Sequence, residues 1–534
     1  MFTNVESIAK CLPDALGQPV AFGKHVGKYI WQIPVDYWVY LAKANGYPID
    51  EFLAKIALAR QFENYRSNIN KKSPRPVFTE RLKETDFYKT LWSHQKNLVE
   101  FYSRMEYLGI FFDIGVGKTL ALLALLRVIW RKNPPDSCLV ICPKSVFNVW
   151  EKEIEKYTNF TYITLTGTME KRISYLGLKR DFYITNYEAL LSDDFLTAIY
   201  QKPLTICALD EVQKIKNYQA QRTKAILQLG TKFTHRYALT GTPFGNNMSE
   251  IWPIATFLDK GKAFGLRFAK FRDKYFFPNY EGKLELRQEL SDEFHDKMKQ
   301  FSVVVKKRDV LDLPPKLFVN REIELTGDIK ESYTTARRDL MLVINDIETP
   351  IRNKLALTIR LRQITGGGVN EERFKQQPKM ELLADLLSDS SIFPVVVVAV
   401  FVPEIMAILK FCKDNGLRAA AICSKFSKQT PANIESFMAG KLDVIVIQPT
   451  SGGSGINLQI SSNMVLYSIN HSAIDADQVP GRIERGGQKN KMTFFSLLAK
   501  CNGKNTIDHI VKDAVEKKGF AIEEFLRRIK KEGI

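Results

Sequence analysis

Two series of short apolar runs divide this sequence, and segments of helical character separate the runs. The first series begins near residue 108 and the second near residue 393. Buried parallel strands read as continuous apolar runs, and strands that alternate with helices form parallel α/β sheets. The sequence therefore predicts two α/β lobes in tandem. The predicted strands are LGIFFDI, SCLVICP, DFYITN, LTICALD and RYALTGT in the first lobe, and PVVVVAVF, LRAAAIC, DVIVIQPT, NMVLYSIN and MTFFSLLA in the second.

The same pattern sets the expected domain boundaries. Residues 1–85 lack the alternation and are expected to form a small accessory module that ends in a basic, proline-bearing linker. Lobe 1 is predicted at 86–300 and lobe 2 at 381–534. The region between them, 301–380, is rich in Lys, Glu and Leu and is predicted to be mostly helical.

The charge balance restricts the class of partner. A net charge of +18 and a pI of about 9.3 favour a polyanion, and nucleic acid before a membrane. The most apolar run, FPVVVVAVFV at 393–402, is shorter than the roughly 20 residues that span a bilayer. The cysteines are scattered without CxxC spacing, which favours a reducing compartment and argues against a zinc site. We therefore expect a soluble, cytoplasmic protein.

The stretch FDIGVGKTL (112–120) lies between the first predicted strand and a predicted helix. Gly115 and Gly117 allow backbone N–H groups to approach a phosphate, and the helix begins with its positive end toward that anion. Lys118 would reach the β- and γ-phosphates, and the Thr119 hydroxyl would hold Mg²⁺. Phe112 stands where the strict pattern has glycine. The strand–turn–helix context nevertheless predicts a site for ATP or GTP.

An acidic element follows in LTICALDEV, where the predicted strand ends at Asp210 and Glu211. Asp210 can join the magnesium shell, and Glu211 can orient and deprotonate an attacking water molecule. A pair of surface acids at a strand end is the plainer interpretation. The other strand ends of this lobe carry no such pair, which favours the catalytic one.

The stretch QVPGRIERGGQ (478–488) places Arg482 and Arg485 three residues apart, a spacing that puts both on one face of a helix. Taken alone, this stretch favours two solvated surface arginines. In phosphoryl transfer, however, an arginine finger stabilises the charge that builds on the γ-phosphoryl group. If the lobes face each other across a cleft, both arginines can point into it. ATP would then close the lobes, and hydrolysis would reopen them.

Taken together, these motifs resemble the Swi/Snf-like branch of superfamily-two helicases and translocases. The resemblance covers about residues 88–520 and implies two RecA-like lobes with helical insertions that use ATP and Mg²⁺ to act on DNA as a monomer. The segments that carry it, in chain order, are LWSHQ (91–95), DIGVGKT (113–119), CPKSVFNVWEKEIEKY (142–157), ITNYEAL (184–190), LDEVQKIKN (209–217), ALTGTPFGN (238–246), KKRDVLDLPPK (306–316), TSGGSGINLQ (450–459), QVPGRIERGGQ and a closing helix, NTIDHIVKDAVEKK (505–518), that would brace lobe 1.

The resemblance also implies roles for single residues. Gln213 stands where the family usually has His, and its amide can still bridge the acidic motif to the coupling motif, ALTGT. ATPase activity is therefore expected. The implied nucleotide contacts are Gln95, Gly115, Val116, Gly117, Lys118, Thr119, Gln213, Gly455 and Gln478. The implied contacts with the DNA backbone are Lys144, Ser145, Asn186, Thr240, Thr450 and Ser451.

Several functions remain open at this level. The compact layout of lobe 2 is similar to fork-remodelling members of the branch or to phage and bacterial relatives, which implies a bacterial cell or a phage-infected host. Displacement of proteins from DNA is an alternative, as is a nucleotide-dependent DNA-binding scaffold without motor activity. The inter-lobe LPPK argues against RNA unwinding. Residues 20–47, which resemble a small module beside some nucleases, interleave basic and aromatic residues that serve either DNA contact or core packing.

Overall fold

The computed structural model describes residues 86–132, 137–244, 247–279, 284–311, 313–345, 351–369, 372–449, 456–469 and 479–516. The predicted N-terminal module and its linker lie outside these ranges. The chain divides into two compact units, with the boundary between Asp312 and Leu313. None of the described helices combines the length and the apolarity that crossing a membrane requires.

Unit 1 is built on a parallel sheet that contains the five predicted strands of the first series and two further strands. Its strands are β1 (Tyr107–Phe112), β2 (Cys138–Ile141), β3 (Tyr162–Thr164), β4 (Phe182–Thr185), β5 (Ile206–Asp210), β6 (His235–Leu239) and β9 (Ser302–Val305), with a separate hairpin of β7 (Phe276–Pro278) and β8 (Leu284–Leu286). Within the described residues the sheet order is β3-β4-β2-β5-β6-β1-β9, and all its pairs are parallel.

Helices cover both faces of this sheet. The buried apolar side chains accordingly form two separate clusters. The first cluster includes Leu122 and Trp150, and the second includes Ile199 and Leu258. The helices are α1 (Asp86–Thr90), α2 (Ser93–Tyr102), α3 (Lys118–Lys132), α4 (Phe147–Tyr157), α5 (Met169–Gly177), α6 (Asp193–Gln201), α7 (Gln221–Gly230), α8 (Ile251–Asp259), α9 (Phe268–Tyr275), α10 (Ser291–Lys299) and α11 (Lys307–Val310).

The strand register places the sequence motifs at one edge of the sheet. Asp210 pairs with Leu239, and Leu239 pairs with Ile110, so β5, β6 and β1 end side by side. In a parallel sheet, ligands bind outside the carboxyl ends of the strands. The phosphate loop, the acid pair and the coupling motif therefore follow three adjacent strands.

Unit 2 has its own parallel sheet, which contains the five predicted strands of the second series and one further strand. Its strands are β10 (Lys316–Glu324), β13 (Val395–Val398), β14 (Ala419–Ile422), β15 (Val444–Ile447), β16 (Asn463–Leu466) and β17 (Met492–Cys501), with a short antiparallel partner, β18 (Lys504–Asn505), and a separate pair of β11 (Gly368–Val369) and β12 (Glu372–Arg373). The described sheet has the order β10-β17-β16-β13-β15-β14.

The helices of unit 2 include two long consecutive helices that pack against each other and precede most of the strands. They are α12 (Gly327–Asn345), α13 (Ile351–Thr365), α14 (Pro378–Ser388), α15 (Val402–Asp414), α16 (Thr430–Met438) and α17 (Ile507–Glu516).

Helix α17 contributes to the core of unit 2. Its Ile507, Ile510 and Val511 pack in a buried cluster with Tyr333 of α12 and Leu361 of α13. The expected role of the closing helix as a brace for lobe 1 stays a prediction.

The region predicted to be a helical connection, 301–380, also contributes to the sheets. Strand β9 pairs with β1 in unit 1, and β10 pairs with β17 in unit 2. Strand β10 is an edge strand whose side chains are mostly exposed. An exposed edge does not require a run of apolar residues, which is why the apolar pattern missed it.

Candidate active site

The phosphate loop joins β1 to α3 through two residues in the left-handed region. Gly115 has φ 83° and Gly117 has φ 74°. The left-handed backbone favours glycine at position 117, and a Cβ there would lie 2.4 Å from Nε2 of Gln95, so the Gln95 amide would have to shift. Lys118 is the first residue of α3, and its Nζ donates to the carbonyl oxygen of Phe112 at 3.2 Å. The ammonium group therefore lies across its own loop.

Two side chains of α2 hold this loop in place. The Gln95 amide accepts from the backbone N–H of Trp92 at 2.9 Å and donates to the carbonyl of Gly117 at 3.0 Å. His94 Nε2 lies 3.0 Å from the carbonyl oxygen of Val116, and burial lowers the pKa of His94 to about 4. His94 is therefore neutral at physiological pH and donates from Nε2. Sequence reasoning missed His94, although it adjoins the predicted Gln95.

Two predicted nucleotide contacts also support the loop. Val116 is fully buried, its N–H donates to the carbonyl of Asp113 at 3.3 Å, and its own carbonyl is held by His94. Gln95 supports the loop through both ends of its amide. The predicted contacts of Val116 with the nucleotide and of Gln95 with adenine stay predictions.

The acid pair lies at the end of β5, and both side chains are buried. The Asp210 carboxylate accepts from the backbone N–H of Glu211 at 2.8 Å and from Nε1 of Trp150 at 2.9 Å. Burial and the neighbouring charge of Glu211 raise the pKa of Asp210 to about 6. The charge of Lys118 acts in the opposite direction, so the phosphate loop and the acid pair share one electrostatic environment.

A chain of hydrogen bonds connects the acid pair with the segment after β6. Gln213 Nε2 donates to Oε2 of Glu211 at 2.5 Å, and the Thr240 hydroxyl donates to Oε1 of Gln213 at 2.7 Å. The backbone N–H of Thr242 in turn donates to the Thr240 hydroxyl at 2.9 Å. The predicted bridge from the acidic motif to the coupling motif is therefore present with Gln213 in the place of His.

The same bonds give Thr240 a role inside the protein. This residue has no exposed surface, and its hydroxyl is both a donor and an acceptor. Thr240 orients Gln213, and through it the carboxylate of Glu211. Its predicted contact with a DNA phosphate stays a prediction.

Gly241 brings the coupling motif against the phosphate loop. A Cβ at this position would lie 3.3 Å from the backbone nitrogen of Ile114 and 3.4 Å from the carbonyl oxygen of Phe112. Contacts this close to backbone atoms leave little room for a side chain. The two loops therefore touch through their backbones.

The predicted DNA contacts of unit 1 have different surroundings. Lys144 and Ser145 are exposed on a short 3-10 helix, Lys144–Val146, at the carboxyl end of β2. Asn186 is buried, accepts from Arg172 at 2.8 Å and donates to Glu188 at 2.6 Å. The structure thus leaves Lys144 and Ser145 exposed to a ligand, whereas Asn186 has internal partners. The predicted DNA contacts of all three residues stay predictions.

Unit 2 carries the two arginines, and they do not share a helix face. Arg482 ends a short 3-10 helix that begins at Pro480, and Arg485 lies beyond it. Arg482 is buried and donates to the carbonyl of Pro449 at 3.2 Å, whereas Arg485 donates to the carbonyl of Ile456 at 2.9 Å. The chain turns after the 3-10 helix, so the helical spacing expected from the sequence does not apply. Thr450, Ser451, Gly455 and Gln478 lie outside the described residues.

The donor set of unit 1 fits a magnesium nucleotide. Magnesium in nucleotide sites takes one or two carboxylates together with phosphate oxygens. Asp210 supplies such a carboxylate beside Lys118, and Thr119 lies in the first turn of α3. Lys118 would hold the phosphates. Thr119 and Asp210 would hold the metal ion.

Comparisons with known proteins show which family the chain resembles. Residues 94–369 match the SNF2-related domain. The putative protein p41 of Acyrthosiphon pisum secondary endosymbiont phage 1 is 23% identical over 440 residues, which cover 76% of this chain and 90% of that protein. The putative ATP-dependent helicase/translocase YwqA of Bacillus subtilis is 25% identical over 425 residues, or 74% of this chain and 44% of that protein.

Other matches come from a longer protein and from a solved structure. An uncharacterized ATP-dependent helicase of Mycoplasma pneumoniae is 24% identical over 424 residues, which cover 76% of this chain but only 38% of that protein. The Sulfolobus solfataricus SWI2/SNF2 ATPase core in complex with dsDNA is 24% identical, and the match covers 83% of this chain and 93% of that one with a TM-score of 0.40. Because the SNF2-related match spans about half of the 534 residues, the chain belongs to the SNF2-related family, whose ATPase motifs it carries in unit 1.

Proposed function

We propose that this chain is a DNA-dependent ATPase that moves on double-stranded DNA and remodels replication forks or branched junctions. The observation that carries the proposal is the hydrogen-bonded chain Glu211–Gln213–Thr240 beside the phosphate loop. This chain of hydrogen bonds joins Glu211, which would activate water, to the segment at Thr240, which touches the phosphate loop. Such a connection suits an enzyme whose hydrolysis is coupled to a second event, here movement on DNA.

The residues of unit 1 divide the chemistry among them. Lys118 and the N-terminus of α3 bind the phosphates, and the fixed positive groups stabilise the charge that develops during transfer. Glu211 orients the attacking water and accepts its proton, while Gln213 fixes the direction of the Glu211 carboxylate. When bound, Mg²⁺ would neutralise phosphate charge and polarise the transferred group.

Arg482 and Arg485 are proposed to stabilise the γ-phosphoryl group in the transition state. Arginine carries a fork of donors that suits phosphate oxygens. Each side chain already has backbone carbonyl partners in unit 2, which hold the guanidinium groups in defined directions. A preformed direction lowers the entropy that a finger residue loses when it engages its anion.

DNA as the partner is supported by charge and by the exposed end of β2. The net charge of +18 favours a polyanion. Lys144 and Ser145 are exposed on the same edge of the sheet as the phosphate loop. Contacts of this kind grip the phosphate backbone without reading sequence, which a protein that steps along DNA requires.

The wider setting is proposed from the relatives. YwqA is named a helicase/translocase, and p41 is a phage protein. We place this chain in the cytoplasm of a bacterium or a phage-infected host, where it acts as a monomer. Residues 1–85 are proposed to form an accessory DNA-binding module, ahead of an ATPase lobe at 86–300, a connection at 301–380 and a second lobe at 381–534.

A triplex-displacement assay separates movement on duplex DNA from the alternatives. A third strand is annealed to one end of a long duplex, and its release is followed after addition of protein and ATP. A translocase releases the third strand without separating the duplex, and a forked substrate in parallel reports remodelling. ATP hydrolysis without release of the third strand, or ATP-independent binding alone, would contradict the proposal and favour a scaffold.

A further inference from the structure

Trp150 reaches the acid pair from a neighbouring helix. Phe147, Trp150 and Ile154 recur at helical spacing on the buried face of α4, so Trp150 reads as an ordinary core residue. Its ring is fully buried, yet its Nε1 donates to Oδ2 of Asp210 at 2.9 Å. The indole has a single donor and no acceptor, so this bond uses all of its hydrogen-bonding capacity.

Tyr187 reaches the same residue from the segment that follows β4, the neighbour of β2 in the sheet. It begins a short 3-10 helix, Tyr187–Leu191, directly after β4, and it has almost no exposed surface. Its hydroxyl donates to the backbone carbonyl of Asp210 at 2.8 Å. Trp150 therefore fixes the side chain of Asp210, and Tyr187 fixes its backbone.

These bonds determine which way the carboxylate points. Oδ1 of Asp210 accepts from the backbone N–H of Glu211, and Oδ2 accepts from Trp150. Glu211 itself has φ 52°, an uncommon conformation for a residue with a side chain. With both oxygens and the carbonyl held, the plane of the carboxylate has little freedom to rotate.

The position of α4 adds a connection to the surface. Helix α4 begins at Phe147, immediately after the 3-10 helix that exposes Lys144 and Ser145. Trp150 lies one turn into α4, so the first turn of one helix joins the exposed segment to the Asp210 carboxylate.

We propose that Trp150 and Tyr187 are positioning residues that orient Asp210 for magnesium, and that Trp150 connects this orientation to DNA contact at Lys144 and Ser145. This inference rests on the proposed function and deepens it. Groups that orient a metal ligand through a hydrogen bond typically contribute about 10- to 100-fold to metal affinity. The plainer alternative is that Asp210 only satisfies a buried indole N–H.

The test uses substitutions that remove one donor each, with controls that make the same chemical change elsewhere in unit 1. The test variants are Trp150→Phe and Tyr187→Phe. The matched controls are Trp252→Phe, which loses an indole bond to the carbonyl of Gly265 at 3.1 Å, and Tyr237→Phe, which loses a hydroxyl bond to the carbonyl of Met105 at 3.3 Å. All four variants are made in the full chain.

The first readout is binding of a fluorescent ADP analogue over a range of Mg²⁺ concentrations, which requires no turnover. We expect Trp150→Phe and Tyr187→Phe to need about tenfold more Mg²⁺ for half-maximal binding. Binding without Mg²⁺ should equal that of the wild type, and both controls should follow the wild-type curve. The second readout is stimulation of ATPase activity by duplex DNA at saturating Mg²⁺. Trp150→Phe should lose stimulation while its DNA affinity is unchanged.

The outcomes separate the two proposals. A wild-type protein that binds no magnesium nucleotide would overturn the proposed function. The positioning role would be overturned if the wild type binds the magnesium nucleotide and Trp150→Phe shows the same Mg²⁺ dependence as Trp252→Phe. If Trp150→Phe does not fold, Tyr187→Phe tests the positioning role in its place, because this substitution removes a single oxygen atom. An Mg²⁺ dependence equal to that of Tyr237→Phe would then overturn the inference.

Discussion

Replacing Lys118 by alanine is expected to lower the rate of ATP hydrolysis at least about a hundredfold, the usual cost of removing a group that stabilises charge in the transition state. Glu211→Gln should have an effect of about 10²- to 10⁴-fold, since glutamine cannot accept the proton of the attacking water. DNA affinity at fixed salt should remain close to that of the wild type for both variants. The measurement is steady-state phosphate release beside a DNA-binding titration.

The physical reason lies in the arrangement at the edge of the unit 1 sheet. Lys118 lies across the phosphate loop, and Glu211 receives a hydrogen bond from Gln213 beside it. Neither residue belongs to the exposed segment that carries Lys144 and Ser145. Loss of chemistry without loss of DNA binding is therefore the signature of these two substitutions.

A matched control is Lys224→Ala, which removes an exposed lysine from α7 of the same unit. It should leave the rate unchanged. Wild-type turnover by Lys118→Ala or Glu211→Gln would contradict the assignment of the active site. Arg485→Ala should bind ATP without hydrolysing it, and normal turnover in that variant would contradict the arginine-finger proposal.

The second large effect is expected on stability. Asp508→Ala should lower the free energy of unfolding of unit 2 by about 3–5 kcal/mol, because it leaves a buried ammonium without its counter-charge. Lys379 Nζ lies 2.6 Å from the Asp508 carboxylate, and their side chains are 1% and 9% exposed. Asp508 also accepts from the Thr365 hydroxyl at 2.9 Å and from the backbone N–H of Ala499 at 3.1 Å.

Asp508 thus connects α17 with α13, α14 and β17, and its removal should loosen the described closing helix. Urea unfolding, followed by circular dichroism, measures the change. The control is Asp296→Ala. Asp296 lies 2.8 Å from Lys299 in an exposed ion pair, in which the Asp296 side chain is 70% exposed and that of Lys299 is 51% exposed. An exposed pair contributes less than about 1 kcal/mol. Equal losses for the two variants would show that the buried pair does not hold α17.

The chemistry-bearing loops could be predicted from the sequence because their signals are local. The helix predicted after the phosphate loop is present and begins at Lys118, and β5 ends at Asp210 as expected. Apolar runs mark buried strands directly, since a strand covered on both faces needs apolar side chains throughout. The family resemblance, confirmed by the SNF2-related match, supplied the order of the remaining motifs.

The supporting residues could not be predicted in this way. Trp150 and Asp210 are 60 positions apart, and the apolar spacing of α4 indicates only core packing. His94 likewise acts on a loop 22 positions away. The resemblance assigns Thr240 and Asn186 to DNA contact, and it does not reveal that both side chains are buried with internal hydrogen-bond partners. Tertiary contacts of this kind have no periodic signature along the chain.

The most direct measurement is the steady-state ATPase rate at one fixed salt concentration with four additions: no nucleic acid, single-stranded DNA, blunt duplex, and forked or four-way junction DNA. A constant salt concentration is needed because binding driven by phosphate contacts falls steeply with salt. A DNA-dependent motor that acts on branched duplexes predicts strong stimulation by duplex DNA and stronger stimulation by junctions. Stimulation by single strands alone, or an unchanged rate with every DNA, would contradict it.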